Sequence, residues 1–113
     1  MAFFEALVGR FYDDVGDDPI LRPLYPEPDL AGAQHRLTLF LAQYWGGPTT
    51  YDQERGHPRL RMRHAPFPIG PAERDRWLVH MRAAVTALAP RPDVAAELDR
   101  YFEMAAEAMR NRE

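Results

Sequence analysis

The sequence predicts an all-α fold, and three observations support this class. Its eleven prolines fall into clusters that separate four longer stretches without proline. Apolar residues recur within each stretch at three- and four-residue spacing, which is typical of a helix with one buried face. No segment alternates apolar and polar residues over the length of a strand. Since 113 residues is the length of one small domain, we expect residues 1–113 to form a single unit.

The first two predicted helices lie before Pro19 and between Pro28 and Pro48. The apolar face of the first is formed by Phe4, Leu7, Val8, Phe11, Tyr12 and Val15. The corresponding face of the second is formed by Leu30, Ala33, Leu37, Phe40, Leu41 and Tyr44. Asp29 stands just before this second face, where its carboxylate can cap the start of the helix.

Two further helices are predicted in the C-terminal half. Gly70-Pro71 opens the third, because proline is favoured in the first turn, and Glu73 follows in the same turn. The apolar face of the third helix is formed by Trp77, Met81, Ala84, Val85 and Leu88. The fourth helix follows Pro92-Asp93, and its apolar face is formed by Val94, Leu98, Tyr101, Phe102, Ala105, Ala108 and Met109.

Two connectors join these helices. Residues 17–29 predict a short helical turn followed by an extended segment, because proline interrupts the pattern repeatedly. Residues 46–70 form a connector of about 25 residues, in which residues 58–64 have room for about two helical turns. A structureless loop of this length is unusual inside a compact domain, so something must organise it.

Composition excludes several function classes. The chain has no cysteine, which excludes disulfides, thiolate metal sites and a thiol nucleophile. It has no lysine either, so Schiff-base chemistry is excluded. A net charge of −3 argues against nucleic-acid binding, and no apolar run is long enough for membrane insertion. We therefore expect a cytoplasmic protein.

The distribution of charge and aromatic residues indicates an anionic ligand. Residues 55–64 hold four arginines and no acid, whereas the whole chain has a net charge of −3. Thirteen aromatic residues are many for so small a core. A planar anionic cofactor such as haem would cover these rings, order the long connector and pair with arginines through its propionates. Without cysteine, its iron would require a histidine.

The central motif resembles a known family. Its residues are Tyr44-Trp45-Gly46-Gly47-Pro48, then Tyr51, then Arg55-Gly56-His57-Pro58-Arg59-Leu60-Arg61-Met62-Arg63-His64. Together with Asp18-Pro19-Ile20-Leu21-Arg22, Tyr25-Pro26 and Trp77, they are similar to group II truncated haemoglobins over residues 4–111. The resemblance implies a two-over-two helical globin fold around haem b, in which a loop replaces most of the helix before the proximal histidine.

The resemblance also implies roles for individual residues. His64 matches the proximal iron ligand, and His57, its nearest competitor, is interpreted as a haem-edge residue. Tyr12, Tyr25 and Trp77 match distal hydrogen-bond donors, although periodicity alone places Tyr12 and Trp77 in the core.

Further residues are expected to contact the cofactor. Ala33 takes the position of the gate histidine of vertebrate globins, and Leu37 and Phe40 follow over the haem. Arg36 is either a propionate partner or a solvated arginine. Arg61 and Arg63 are propionate candidates, which the sequence does not separate from Arg55 and Arg59. The remaining expected contacts are Tyr51, Leu60, Phe67 and Met81. His35 and His80 are expected to be solvent-exposed.

The functional expectation is reversible binding of dioxygen, with carbon monoxide and nitric oxide as further ligands. Strong distal donation suits redox chemistry with nitric oxide or peroxide, as a nitric-oxide dioxygenase or a peroxidase served by an external reductase. The alternatives are a ligand store or sensor without turnover, and a cofactor-free helical module that buries its aromatic surface in a partner.

The family usually has a further short helix and a Gly-Gly element before the first helix. The oligomeric state stays open between monomer and homodimer.

Overall fold

The computed structural model describes residues 2–56 and 59–112, and for residues 60 and 61 it describes the backbone only. Over these residues the chain is helical, with no strand. The helices are α1 (Ala2–Gly16), α2 (Ala31–Tyr44), α3 (Thr50–Arg55), α4 (Leu60–His64), α5 (Pro71–Leu88) and α6 (Pro92–Met109), with a 3₁₀ turn at Arg22–Leu24. The all-α prediction is confirmed, and none of the described helices is long and apolar enough to cross a membrane.

The helix starts use the residues that the sequence indicates. The carboxylate of Asp29 accepts a hydrogen bond from the backbone N–H of Ala31, 2.9 Å away, at the start of α2. In α5, Pro71 takes the first position, and Glu73 accepts a hydrogen bond from the Gly70 N–H at 2.7 Å. These contacts satisfy backbone donors that would otherwise lack a partner in the first turn.

The long connector is more ordered than its composition suggests. It contains α4, which falls within the predicted segment 58–64, and also α3, which periodicity did not predict. Helix α3 has six residues and buries only Tyr51, so no repeating apolar face marks it. At the start of the connector, the N–H of Gly47 donates to the Ala42 carbonyl at 2.8 Å and closes the end of α2.

The core forms where α1 meets its neighbours. Helix α1 packs on both α2 and α5, and α5 packs on α6, so two helix pairs lie one over the other. The largest fully buried side chains are Phe11, Phe102, Leu7, Leu41, Met81, Val8 and Val15. They come from α1, α2, α5 and α6, the four helices whose apolar faces the sequence predicts.

One expectation about histidine is wrong. His80 is largely buried, with 12% of its side chain exposed, and its Nε2 lies 2.5 Å from Oδ2 of buried Asp18. His35 is exposed as expected, at 58% of its side chain, and contacts Glu54 at 3.1 Å. The polar residues next to His80 in sequence predict an exposed side chain. In the fold, the segment just before Pro19 packs over this side of α5 and buries the imidazole.

Candidate functional site

A cavity of about 500 Å³ lies beside the core, bounded by α1, α2, α5, α6, the 21–27 corner and the 63–69 segment. Its size is in the range of small-molecule and cofactor sites. Most of its lining is apolar, from residues such as Leu37, Phe40, Phe67 and Ala105. The cavity therefore suits a largely apolar ligand that meets a few polar groups.

Two tyrosines bring hydroxyl groups to this cavity. Tyr12 reaches it from α1 and Tyr25 from the corner, and their ring centroids are 5.6 Å apart with the planes at 83°. Burial raises the pKa of Tyr12 well above its usual range, and the neighbouring Tyr25 raises it further. Burial also raises the pKa of Tyr25, although its hydrogen bond with Tyr12 works in the opposite direction. Both hydroxyls keep their protons at neutral pH, and the Tyr12 hydroxyl donates a hydrogen bond to the Tyr25 oxygen, which leaves the Tyr25 proton for a further acceptor.

Trp77 brings a third donor from α5 to the same cavity. Its ring packs edge-on against Phe11, with centroids 5.3 Å apart, and against Phe102 at 5.7 Å. An indole N–H can only donate a hydrogen bond. The packing of the ring on two aromatic neighbours holds that donor in one place.

His64 enters the cavity from the end of α4, together with Phe67. Their segment is tied to the C-terminal end of α6 by Asn111. The Asn111 Nδ2 group donates to the carbonyl oxygens of Phe67 at 2.9 Å and His64 at 3.3 Å. Its Oδ1 accepts a hydrogen bond from the Ile69 N–H at 2.9 Å. One side chain thus braces the backbone on which the imidazole is mounted.

Comparison with known proteins decides the family. The model of the family described as bacterial-like globin matches residues 1–111. The chain belongs to this globin family. It is 39% identical over 106 residues to the group 2 truncated haemoglobin YjbI of Bacillus subtilis, a match that covers 94% of this chain and 80% of the relative. The resemblance to group II truncated haemoglobins is therefore confirmed.

Solved structures support the same assignment. A thermostable haemoglobin from Thermobifida fusca is 58% identical and superposes with a TM-score of 0.96, covering 97% of this chain and 89% of the other. The group II 2-on-2 haemoglobin of Agrobacterium tumefaciens is 36% identical with a TM-score of 0.92, covering 99% and 88%. The expected two-over-two fold is thereby confirmed for this globin.

The cavity of this globin gathers most of the residues that the sequence singled out. His64 is the one histidine on its lining among the described residues. The other predicted residues on the lining are Tyr12, Tyr25, Trp77, Ala33, Arg36, Leu37, Phe40, Tyr51, Arg55, Arg63 and Phe67. Tyr51 also packs edge-on against Phe40, with ring centroids 5.5 Å apart.

The arginines at the cavity already have protein partners. Arg36 lies 3.2 Å from the Glu27 carboxylate, and both side chains are partly exposed. Arg63 donates to the backbone carbonyl of Arg55 at 2.9 Å, and both residues line the cavity. Arg74 was not predicted, yet it also reaches the lining and pairs with carboxylates outside it. Partly exposed guanidinium groups at the rim can exchange such pairs for a ligand carboxylate at small cost.

Two described residues among the predicted contacts, Met81 and Arg59, do not line the cavity, and three further predicted contacts cannot be placed. Met81 is fully buried in the core, because the cavity reaches only the N-terminal half of α5, as far as Trp77. His57 lies outside the described residues, and so do the side chains of Leu60 and Arg61. Arg59, the remaining arginine candidate, is exposed and does not line the cavity.

Several lining residues escaped prediction from the sequence. They include Leu21, Leu24, Ile69, Tyr101, Ala105, Ala106 and Met109. Tyr101, Ala105 and Met109 belong to the apolar face that predicts α6, so this face serves both the core and the cavity, whereas Ala106 lies outside the predicted face. Asn111 also escaped it; an asparagine just after a helix is a common end signal, but its contacts with residues 64–69 depend on the tertiary fold.

Proposed function

We propose that this globin holds haem b in the cavity, that His64 would hold its iron, and that the protein binds dioxygen reversibly. One observation carries the proposal: a single cavity brings together one imidazole and three neutral donors, Tyr12, Tyr25 and Trp77. Membership of the globin family supports the haem and the oxygen. The largely apolar lining and the arginines at the rim fit a flat macrocycle with two carboxylates.

The haem would supply a ferrous iron that takes a diatomic ligand. The chain's own contribution begins with His64, whose imidazole is the ligand type of globins and peroxidases and lines the cavity. Tyr12, Tyr25 and Trp77 donate hydrogen bonds toward charge that develops on the ligand. Ala33 leaves the gate position without a polar group, so the donation comes from these three side chains.

Arginines are assigned to the propionates. Arg36, Arg55, Arg63 and Arg74 line the cavity and present guanidinium groups with bidentate geometry for carboxylates. Arg36 would exchange its Glu27 contact for a propionate, or would share the group between the two. Arg63 lies on the same short helix as His64, so it is well placed for this role.

The role of His64 as the iron ligand is tested by comparing variants of two histidines. Purified protein loaded with haem is expected to show a strong Soret band and a reversible change of spectrum with oxygen. His64→Gly should lose the native ferrous spectrum and regain it when imidazole is added. His35→Gly is the control, because His35 is exposed on α2 and pairs with Glu54 away from the cavity. Native spectra for both variants would refute the assignment of His64.

A second comparison tests the distal donors. Trp77→Phe keeps an aromatic ring between its neighbours but removes the indole N–H. We expect oxygen dissociation to become about 2- to 10-fold faster, the factor that corresponds to one hydrogen bond. Trp45→Phe is the control, since Trp45 does not line the cavity and its indole nitrogen lies 3.4 Å from Glu97 on α6. Equal rates in the two variants would contradict the donor role.

The redox part of the proposal is separate. Donors that would hold a diatomic ligand tightly suit redox chemistry with nitric oxide or peroxide better than bulk transport. The electrons would come from an external reductase in the cytoplasm. Sustained consumption of nitric oxide or peroxide with a reductase present supports an enzyme, as a dioxygenase or a peroxidase respectively. Binding without sustained consumption supports a store or sensor, and a folded protein that ignores added hemin supports a cofactor-free module.

A further inference from the structure

Asp18 is a buried charge that the proposed function does not use. It is 3% exposed and is the only buried charged residue in the part of the chain that the structure describes. It does not line the cavity. A buried carboxylate is costly unless hydrogen bonds compensate for lost water, so the contacts around it are expected to be specific.

Both oxygens of this carboxylate are engaged. Oδ1 accepts hydrogen bonds from the backbone N–H groups of Ile20 at 2.7 Å and Leu21 at 3.2 Å. Oδ2 lies 2.9 Å from Nε of Arg76 and 2.5 Å from Nε2 of His80. The first pair belongs to the corner after α1, and the second pair belongs to α5. Asp18 therefore joins two elements that are 58 and 62 residues apart in sequence.

On the corner side, hydrogen bonds lead from Asp18 to Tyr25. The Arg22 N–H donates to the Asp18 carbonyl at 2.9 Å, and the Tyr25 N–H donates to the Arg22 carbonyl at 3.1 Å. The Arg22 guanidinium also donates to the Tyr25 carbonyl at 2.9 Å. The backbone that presents Tyr25 is thus anchored to residue 18 twice, at the carboxylate through Ile20 and Leu21 and at the backbone carbonyl through Arg22.

On the helix side, Asp18 holds the turn that carries Trp77. Arg76 directly precedes Trp77, and His80 follows one turn after Arg76 on the same side of α5. Two contacts from one carboxylate hold this side of α5 against the segment after α1. The direction in which the Trp77 indole points depends on both contacts.

The charge strengthens this link. Burial alone would raise the pKa of Asp18, but hydrogen bonds from His80, the Ile20 N–H and Arg76 outweigh burial and hold its pKa well below the usual range. The carboxylate is therefore ionised at neutral pH. Charge-assisted hydrogen bonds are shorter and stronger than neutral ones, so they restrict the geometry more tightly.

We propose that Asp18 is a positioning residue that sets the placement of Tyr25 relative to Trp77, and thereby the strength of hydrogen-bond donation to a diatomic ligand. This inference rests on the proposed function, because the two donors matter only if a ligand binds between them and the iron. A purely structural Asp18 would affect unfolding but not the ligand in folded protein.

The experiment uses the haem-loaded, full-length protein well below its unfolding temperature. Asp18→Asn keeps an acceptor for the corner N–H groups but removes the charge that holds Arg76 and His80. We expect oxygen dissociation to become about 2- to 10-fold faster, as for the loss of one hydrogen bond. The C–O stretching frequency of the carbon monoxide adduct should rise, because it reports the positive field at the ligand. Asp17→Asn, a neighbouring exposed carboxylate, is the matched control.

Two further measurements separate positioning from stability. Arg76 contacts the same carboxylate, and its side chain is partly exposed, so the variant Arg76→Gln should fold. It should change the rate of oxygen dissociation and the C–O frequency in the same direction as Asp18→Asn, by a smaller factor. In a double-mutant cycle, Asp18→Asn should have less effect on oxygen dissociation in the Trp77→Phe background than alone.

The outcomes distinguish a failure of the proposed oxygen-binding function from a failure of the positioning role of Asp18. If the wild-type protein binds no haem or no oxygen, the proposed function fails and this inference fails with it. If the wild type binds oxygen but Asp18→Asn and Arg76→Gln match the Asp17→Asn control in rate and C–O frequency, only the positioning role is overturned. Full additivity in the cycle would also overturn it. A shifted C–O band with non-additive kinetics supports it.

Discussion

Replacing Asn111 by alanine removes one side chain from the end of α6 and three hydrogen bonds from the segment that carries His64. The lost contacts are those from Nδ2 to the carbonyls of His64 and Phe67 and that from the Ile69 N–H to Oδ1. The backbone N–H of residue 111 still donates to the Ile69 carbonyl at 2.8 Å. The substitution therefore loosens the segment without detaching it.

The size of the effect follows from the surroundings of these bonds. Each contributes about 0.5–1.5 kcal/mol in general, and the lower value applies here because the groups are exposed and water replaces the lost partner. Three such bonds amount to about 1.5 kcal/mol. At roughly 4 °C per kcal/mol for a domain of this size, the melting temperature should fall by about 6 °C.

The assay compares Asn111→Ala with Arg112→Ala. The Arg112 side chain donates to the Asn111 carbonyl at 3.0 Å and to its Oδ1 at 3.4 Å, but not to the segment that carries His64, so Arg112→Ala keeps all three hydrogen bonds between Asn111 and that segment. Thermal unfolding measures stability, transfer of haem to an acceptor protein measures retention, and the iron–histidine stretching band measures how firmly His64 is held. Asn111→Ala should melt lower, lose haem faster and broaden that band. Identical behaviour of the two variants would refute the idea that Asn111 braces the segment.

Three further outcomes are expected. Met81→Ala should lower the free energy of unfolding by about 2–5 kcal/mol in urea titrations, because the side chain is fully buried, yet leave the visible spectrum unchanged; a shifted spectrum at unchanged stability would place Met81 at the cofactor after all. Gly47→Ala should destabilise the protein by about 1–3 kcal/mol, because the added Cβ would lie 2.7 Å from the Ala42 carbonyl oxygen. Gly9→Ala in the middle of α1 should instead stabilise it by roughly 0.5–1 kcal/mol, because a Cβ fits there and alanine favours the helix. Equal shifts of the urea midpoint in the two variants would contradict this difference. Because the pKa of Asp18 is lowered in the folded protein, the ionised carboxylate stabilises the fold above pH 3.8, its ordinary pKa, and this stabilisation is lost as the pH falls further. The difference in unfolding free energy between wild type and Asp18→Asn should therefore shrink toward acid pH. A difference that stays constant with pH would contradict the lowered pKa.

The helices were largely predictable because their signals are local. Proline ends a helix wherever it falls, and a buried face leaves a three- and four-residue repeat. Asp29 and Glu73 make the capping contacts that their positions indicate. Helix α3 escaped because it buries a single residue, Tyr51, and one buried residue has no period.

The site was predictable only in part. The motif around His64, with the family resemblance that it carries, points to eleven further residues that line the cavity, and Tyr12, Tyr25 and Trp77 are among them. Periodicity alone does not identify them, since Trp77 and Met81 share one apolar face of α5 but only Trp77 reaches the cavity. Nothing local distinguishes these two residues, because the difference depends on how far along α5 the cavity extends.

Local sequence is enough to establish the helix class and the exclusion of cysteine and lysine chemistry, and it supports histidine as the proposed iron ligand. Which polar groups meet is settled by tertiary packing instead. From sequence alone, His80 is predicted to be exposed, Asp18 belongs to a turn and Asn111 follows a helix. In the folded protein the segment before Pro19 buries His80, α5 supplies two partners for Asp18, and Asn111 binds the segment that carries His64. These contacts join residues 47 to 62 positions apart, and local propensity does not report separations of that size. They form only when packing of the apolar faces has brought the chain segments together.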